Sequence, residues 1–141
     1  MESDLVDEFE EGIVLNDSAY NRRLEAKAAS FSINGKRYEV SSLPGNTTLN
    51  QFIRGHAHLL GTKYMCQEGG CGACVVAVTA YDVISKKPKV FAVNSCLVPV
   101  YKCHGWSIKT VEGVGNARAG YHEIQARLAS NYGTQCGYCS Q

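Results

Sequence analysis

At 141 residues, with 45% hydrophobic and 19% charged side chains, the chain has the make-up of a folded globular protein and not of a disordered or fibrous one. A formal net charge of +1 supplies no global field to draw in nucleic acid or an anionic membrane. No apolar run approaches the ~18 residues that a membrane-spanning helix needs.

In chain order, the start carries Glu2, Asp4, Asp7, Glu8, Glu10 and Glu11 before any basic residue. A secretory signal begins positive and turns apolar, and mitochondrial transit peptides avoid acids, so a cytoplasmic location is expected. Residues 1–29 mix acidic and small side chains without a sustained apolar face, which predicts a mobile extension with a short helical turn around 22–28. Phe31-Ser32-Ile33 and Tyr38-Glu39-Val40 alternate apolar and polar. Asn34-Gly35 between them is a type I′ hairpin signal, because that turn needs positive φ at both central positions. Leu43-Pro44-Gly45-Asn46 ends the second strand, and Thr47 or Thr48 can cap a short helix on which Leu49, Phe52 and Ile53 recur at helical spacing.

The glycine-rich stretch 61–74 predicts no regular element. Val75 to Tyr81 is β-branched and apolar and reads as a buried strand. Asp82 to Pro88 reads as a polar turn, Lys89 to Asn94 as a strand, and Trp106 to Val111 as a last strand ending at Glu112-Gly113. Strands, one helix and more strands predict a compact α+β domain. Composition changes after Gly113-Val114-Gly115. A helix over 121–129 follows, with Ile124 and Leu128 one turn apart, and Gly133 is expected to end it as a residue tolerant of positive φ. The expected division is an extension over 1–29, a sheet domain over 30–115 and the start of a helical domain over 120–141.

The chain has 7 cysteines, an odd count, and in a reducing compartment clustered cysteines point to metal or redox chemistry rather than disulfides. Cys66, Cys71, Cys74 and Cys96 spell C-x4-C-x2-C-x21-C, the spacing of a plant-type [2Fe–2S] site. Two irons need four thiolates, and the sulfurs need hydrogen-bond donors. A short loop can curl round such a cluster only where side chains leave the backbone room, which is the expected role of Gly69, Gly70 and Gly72. The oxidised cluster with its thiolates sums to about −2 and the reduced one to about −3, so donors aimed at sulfur favour the reduced form and raise the potential. Zinc also accepts four cysteines, but its ligands usually come as short C-x2–4-C pairs; three in one glycine-rich loop plus a distant fourth fit a dinuclear cage better.

Cys136-Gly137-Tyr138-Cys139 is a C-x-x-C whose thiols would share one side of a helix. A redox pair and half of a metal site are both open readings, and two cysteines cannot hold a cluster alone. Cys103 matches no ligand position and reads as a buried small hydrophobe. His56, His58, His104 and His122 lack metal-like spacing and read as surface or structural. Trp106 reads as a core or interface anchor. Glu68 reads as a solvated rim residue, and Arg54 and Lys63 as ordinary surface charges.

Several motifs together resemble the N-terminal iron–sulfur region of the xanthine dehydrogenase and aldehyde oxidase family of molybdenum hydroxylases. They are Phe31-Ser32-Ile33-Asn34-Gly35, Gly61-Thr62-Lys63, Cys66 through Cys74, Asn94-Ser95-Cys96-Leu97, Thr110-Val111-Glu112-Gly113 and Gln135-Cys136-Gly137-Tyr138-Cys139. The string from Val98 to Trp106 is most similar to aldehyde oxidases of the insect type. The resemblance implies a β-grasp, ferredoxin-like domain holding a [2Fe–2S] cluster on Cys66, Cys71, Cys74 and Cys96. It implies a following all-helical domain in which Cys136 and Cys139 supply half of a second [2Fe–2S] site. Gln135 matches a residue that the family places near its pterin. Flavin (FAD) and molybdopterin domains, and a homodimer, are implied only for a full-length chain.

The preferred expectation is an N-terminal fragment of a molybdo-flavoenzyme, relaying electrons from molybdenum toward flavin but unable to oxidise an aldehyde or purine by itself. The alternative is a free-standing ferredoxin-like carrier or a small iron–sulfur subunit of a hydroxylase. Such a subunit would carry both halves of the second site, so the fragment reading is favoured.

Overall fold

The computed structural model describes residues 28–140. The helical turn predicted around 22–28 and nearly all of the extension over 1–29 therefore lie outside the described residues. Ala29, the end of that extension, is already buried in the first strand.

Strands β1 (Ala29–Ile33) and β2 (Lys36–Val40) form the predicted antiparallel hairpin, with Phe31 opposite Tyr38. Its turn has Asn34 at φ 50° and Gly35 at φ 84°, both left-handed as a type I′ turn requires. Helix α1 (Leu49–Gly55) starts at Thr48, whose hydroxyl accepts the Gln51 amide while the Gln51 side chain accepts the Thr48 amide. That capping box satisfies two of the amides that a helix start leaves unpaired. It sets the helix so that Leu49, Phe52 and Ile53 face the sheet, where Phe52 packs edge-on against Phe31 and Tyr38.

Three further strands complete the sheet: β3 (Val75–Asp82), β4 (Lys87–Asn94) and β5 (Ser107–Lys109). The order is β2-β1-β5-β3-β4, with β5 parallel to β1 and antiparallel to β3. Short 3₁₀ turns at Ser95–Leu97 and Val100–Cys103 lead from β4 to β5. The core is one cluster built on Phe31, Ile33, Leu49, Phe52, Ile53, Val76, Val78, Val100, Cys103 and Ile108, with Trp106 half-buried at its edge. Cys103 is fully buried, as expected of a small hydrophobe. Among the described residues no helix is long and apolar enough to cross a membrane.

The strand expectations need correction in three places. β3 is not buried throughout. Val76 and Val78 face the core, whereas Val75 and Tyr81 are exposed, because α1 covers one face of the sheet and leaves the other to solvent. β4 begins at Lys87, so Lys87 and Pro88 pair with Asp82 and Tyr81 instead of lying in the turn. An edge strand tolerates Pro88 because one of its two sides needs no ladder hydrogen bonds.

The last strand also stops at Lys109, and Val111–Val114 forms a helical turn, α2. The Thr110 amide donates to Asn34 Oδ1 at 3.0 Å, and Asn34 Nδ2 donates to Thr110 Oγ1 at 2.9 Å, so the backbone there leaves the ladder for the hairpin turn. A Cβ on Gly113 would lie 2.1 Å from Asn34 Oδ1, so glycine is what allows this approach.

Helix α3 (Glu123–Ser130) is capped by His122, whose Nδ1 accepts the Ile124 amide at 3.2 Å, and it buries none of its residues. The helix ends differently from expectation. The left-handed residue is Tyr132 at φ 51°, while Gly133 follows it and donates to the Leu128 carbonyl at 2.8 Å. A Cβ on Gly133 would meet Leu128 Cδ1 at 2.5 Å, so close packing selects glycine there. Cys136 and Cys139 lie beyond the helix in irregular chain, with Gly137 at φ 74°, so they do not share a helix face.

Candidate metal centre

The loop from Cys66 to Cys74 turns inward through left-handed residues, Gln67 at φ 64°, Gly69 at φ 78° and Gly72 at φ 71°. The Cys71 amide donates to Cys66 Sγ and the Ala73 amide to Cys71 Sγ, each at 3.4 Å. A Cβ on Gly69 would meet Leu97 Cδ1 at 2.5 Å, whereas one on Gly70 would meet nothing. Gly69 and Gly72 are thus required by backbone conformation, and Gly70 is not required by space.

Cys96 reaches the loop because β4 pairs with β3 in the register Val75 opposite Asn94, which carries the following 3₁₀ turn back over Cys74. The Ser95 amide and hydroxyl both donate to the Cys74 carbonyl, at 3.2 and 2.7 Å. Cys74 and Cys96 are both buried, and their sulfurs lie 3.3 Å apart.

Residues that sequence reasoning passed over hold this arrangement. Asn50, fully buried on α1, donates through Nδ2 to Ser95 Oγ and to the Lys63 carbonyl, both at 3.0 Å. Asn94 Nδ2 donates to the Gly69 carbonyl at 3.1 Å. The Gly61 amide donates to Glu112 Oε1 at 2.6 Å. Arg54 is no idle surface charge, since its Nη1 donates to the Leu60 and Thr62 carbonyls at 2.8 Å each. Lys63 is likewise engaged, but its ammonium reaches away from the cage to the tail, donating to the Gly137 and Ser140 carbonyls. Glu68 is exposed, as expected of a rim residue. None of these contacts has a signature in sequence spacing, because most join distant segments and the nearer ones, from Arg54 and Asn50, end on backbone carbonyls that no motif marks.

The thiols differ electrostatically. Backbone amides of Glu68 and then Cys71 pull the Cys66 thiol down to about 7. Burial, and then the Cys74 thiol beside it, push Cys96 up. Burial alone pushes Cys103 up to about 12. Thiol alkylation follows the thiolate. In the cluster-free protein, iodoacetamide should therefore label Cys66 with a rate that rises through about pH 7, while Cys103 stays unlabelled up to ~pH 9. Labelling resolved by peptide mass spectrometry checks this, and equal rates at the two cysteines would refute it.

Among the described residues no three Cys, His, Asp or Glu side chains close on a point that could hold a single metal ion. A dinuclear cluster asks for two thiol pairs, one for each iron. The loop offers Cys66 with Cys71, joined by an amide contact, and Cys74 with Cys96, joined sulfur to sulfur. An all-thiol donor set, inward amides and left-handed glycines fit a [2Fe–2S] cluster. Cys136, Cys139 and Gln135 are exposed on the tail and are not part of this cage.

A family model for the 2Fe-2S iron-sulfur cluster binding domain matches residues 31–101. Aldehyde oxidase 4 of Cavia porcellus is 47% identical over 110 residues, which cover 78% of this chain and 8% of that protein. Xanthine dehydrogenase of Oryza sativa subsp. japonica is 48% identical over 108 residues, covering 77% of this chain and 8% of that protein. Among solved structures, quinoline 2-oxidoreductase from Pseudomonas putida 86 matches with a TM-score of 0.65 at 27% identity, over 80% of this chain and 62% of that one. The chain thus spans about 8% of the length of these two curated relatives.

Proposed function

Because this chain belongs to the 2Fe-2S iron-sulfur cluster binding domain family, in the form found at the N-terminal iron–sulfur region of aldehyde oxidases and xanthine dehydrogenases, we propose that Cys66, Cys71, Cys74 and Cys96 hold its electron-transferring cluster. The observation that carries the assignment is the meeting of two thiol pairs from loop and strand end, with backbone amides aimed at sulfur. Cys66 and Cys71 would hold one iron, and Cys74 and Cys96 the other. Bound there, the cluster supplies one-electron redox chemistry, typically at roughly −400 mV for this type.

The chain's own part is to set the surroundings of that exchange. Amides at Cys71 and Ala73 oppose the negative charge gained on reduction, so they favour the reduced state. Cys74 and Cys96 keep one side of the site out of water, while exposed Glu68 and Gly70 leave the loop side open.

The wider reading is an iron–sulfur segment of a molybdo-flavoenzyme, with FAD and molybdopterin domains in the same full-length chain, a homodimeric assembly and a cytoplasmic location. The two curated relatives support it. Their near-equal identities also fit a relay, which carries electrons without touching an aldehyde or a purine. Cys136 and Cys139 would supply half of a second [2Fe–2S] site, with Gln135 toward the pterin. The division near 115–120 into a sheet domain and a helical domain is supported by α3, which buries no side chain against the sheet. A small iron–sulfur subunit is the second reading, favoured by the larger share, 62%, of the quinoline 2-oxidoreductase chain that is matched.

Iron and acid-labile sulfide should each analyse at about two per chain, with an EPR signal that appears only on reduction. Zinc in place of iron would overturn the ligand assignment.

A further inference from the structure

We propose that Lys63 is a positioning residue that docks the Cys136–Cys139 loop onto the cluster loop and so fixes the two cysteine groups relative to each other. The proposal rests on reading 66–74 as a cluster loop. Lys63 stands on a held backbone. Thr62 before it is fully buried, Arg54 Nη1 grips the Thr62 carbonyl at 2.8 Å, and buried Asn50 grips the Lys63 carbonyl at 3.0 Å. From that platform the side chain crosses to the tail, where its ammonium donates to the carbonyls of Gly137 and Ser140. One of these carbonyls lies inside the C-x-x-C and the other just after it.

The tail loop is shaped to present them. Gly137 reverses the chain at φ 74°, and Thr134 Oγ1 donates to Ser140 Oγ at 2.9 Å, closing the loop on itself. Apolar burial does not fix its place, because α3 buries no residue, and Ile124, Tyr132 and Tyr138 are exposed. Gln125 Nε2 ties the helix to the Val111 and Gly115 carbonyls at 3.3 and 3.2 Å, but that tether lies before the loop. An ammonium is a compact charge with three donors, suited to converging carbonyls, and hydrogen bonds from a charged donor are roughly twice as strong as neutral ones. Electron transfer between two centres depends steeply on their separation, so a contact that sets the spacing of the two cysteine groups sets a functional distance.

The test compares wild type, Lys63→Met and Lys63→Arg as cluster-bearing full chains, by amide exchange with mass readout at low and high salt. Lys63→Met should speed exchange over 134–140 roughly 5–10-fold, leaving 29–113 and the visible spectrum unchanged. Lys63→Arg should restore much of the protection. Added salt should leave the difference between wild type and Lys63→Met largely intact, because the ammonium's partners are uncharged carbonyls in direct contact and not a separated charge. Unchanged exchange over 134–140 in Lys63→Met would overturn the proposal. So would acceleration spread across 29–113 with bleaching, which would assign Lys63 to the sheet domain. A wild-type protein without [2Fe–2S] absorption would refute the cluster assignment, while the exchange comparison would still judge Lys63.

Discussion

Cys71→Ser should remove the visible absorption of the cluster entirely and lower the melting temperature of the sheet domain by about 10 °C or more. The loop and the turn after β4 meet at this site through thiols that flank the open end of the β3–β4 hairpin, where Val75 lies opposite Asn94. A group bound by the folded state and not by the unfolded one stabilises the fold with the logarithm of its excess over Kd, by ~2.7 kcal/mol at a hundredfold excess. In a domain of this size each kcal/mol shifts the midpoint by roughly 4–8 °C. Cys71 also supplies the amide that donates to Cys66 Sγ, but serine keeps that amide, so the loss is the thiolate's alone.

Cys103→Ser is the control. Its thiol is fully buried, with the Pro99 carbonyl 3.8 Å away, too far for a good hydroxyl hydrogen bond. The variant should lose about 1–2 kcal/mol by burying a poorly satisfied hydroxyl and keep its full spectrum. Paired thermal melts and visible spectra decide the matter. A full-strength spectrum from Cys71→Ser would exclude it as a ligand.

Asn50→Ala should destabilise the sheet domain by about 2–4 kcal/mol and make the cluster bleach several-fold faster in the presence of an iron chelator. The Asn50 amide sits fully buried where α1, the cluster loop and the turn bearing Cys96 meet. Removing it leaves the Lys63 carbonyl and the Ser95 hydroxyl without that donor and opens a cavity under both. Ser95 in turn holds the Cys74 carbonyl, so the slack reaches two cysteine-bearing segments at once. Thr48→Ala is the comparison on the same helix. It loses the capping box, worth ~1 kcal/mol, and touches nothing in the cage. Bleaching rates measured beside denaturant unfolding separate the two effects. If Thr48→Ala bleaches as fast as Asn50→Ala, cluster release follows global stability and Asn50 has no special hold on the site.

What the sequence determined by itself was local. The Asn34-Gly35 turn, the Thr48 cap with its apolar face at Leu49, Phe52 and Ile53, and the cysteine spacing of 66–74 each act within a few residues. Their geometry follows from φ preference, capping chemistry and helical period before any long-range contact forms. The tertiary structure decided everything that depends on which distant segments meet. β3 looked fully buried in sequence because both of its faces are apolar, and only the placement of α1 on one side exposes Val75 and Tyr81. The last strand ended early because the Thr110 amide found Asn34, 76 residues away. A pattern expected on a helix placed Cys136 and Cys139 on one face, but the chain turns left-handed at Tyr132 and again at Gly137. Arg54 and Lys63 read as solvated charges because a cation's partners here are backbone carbonyls, which every residue carries and no motif marks. Spacing in sequence encodes which thiols can share a cage, whereas the buried amide of Asn50 and the carbonyls that hold the cage in place exist only once the sheet has closed.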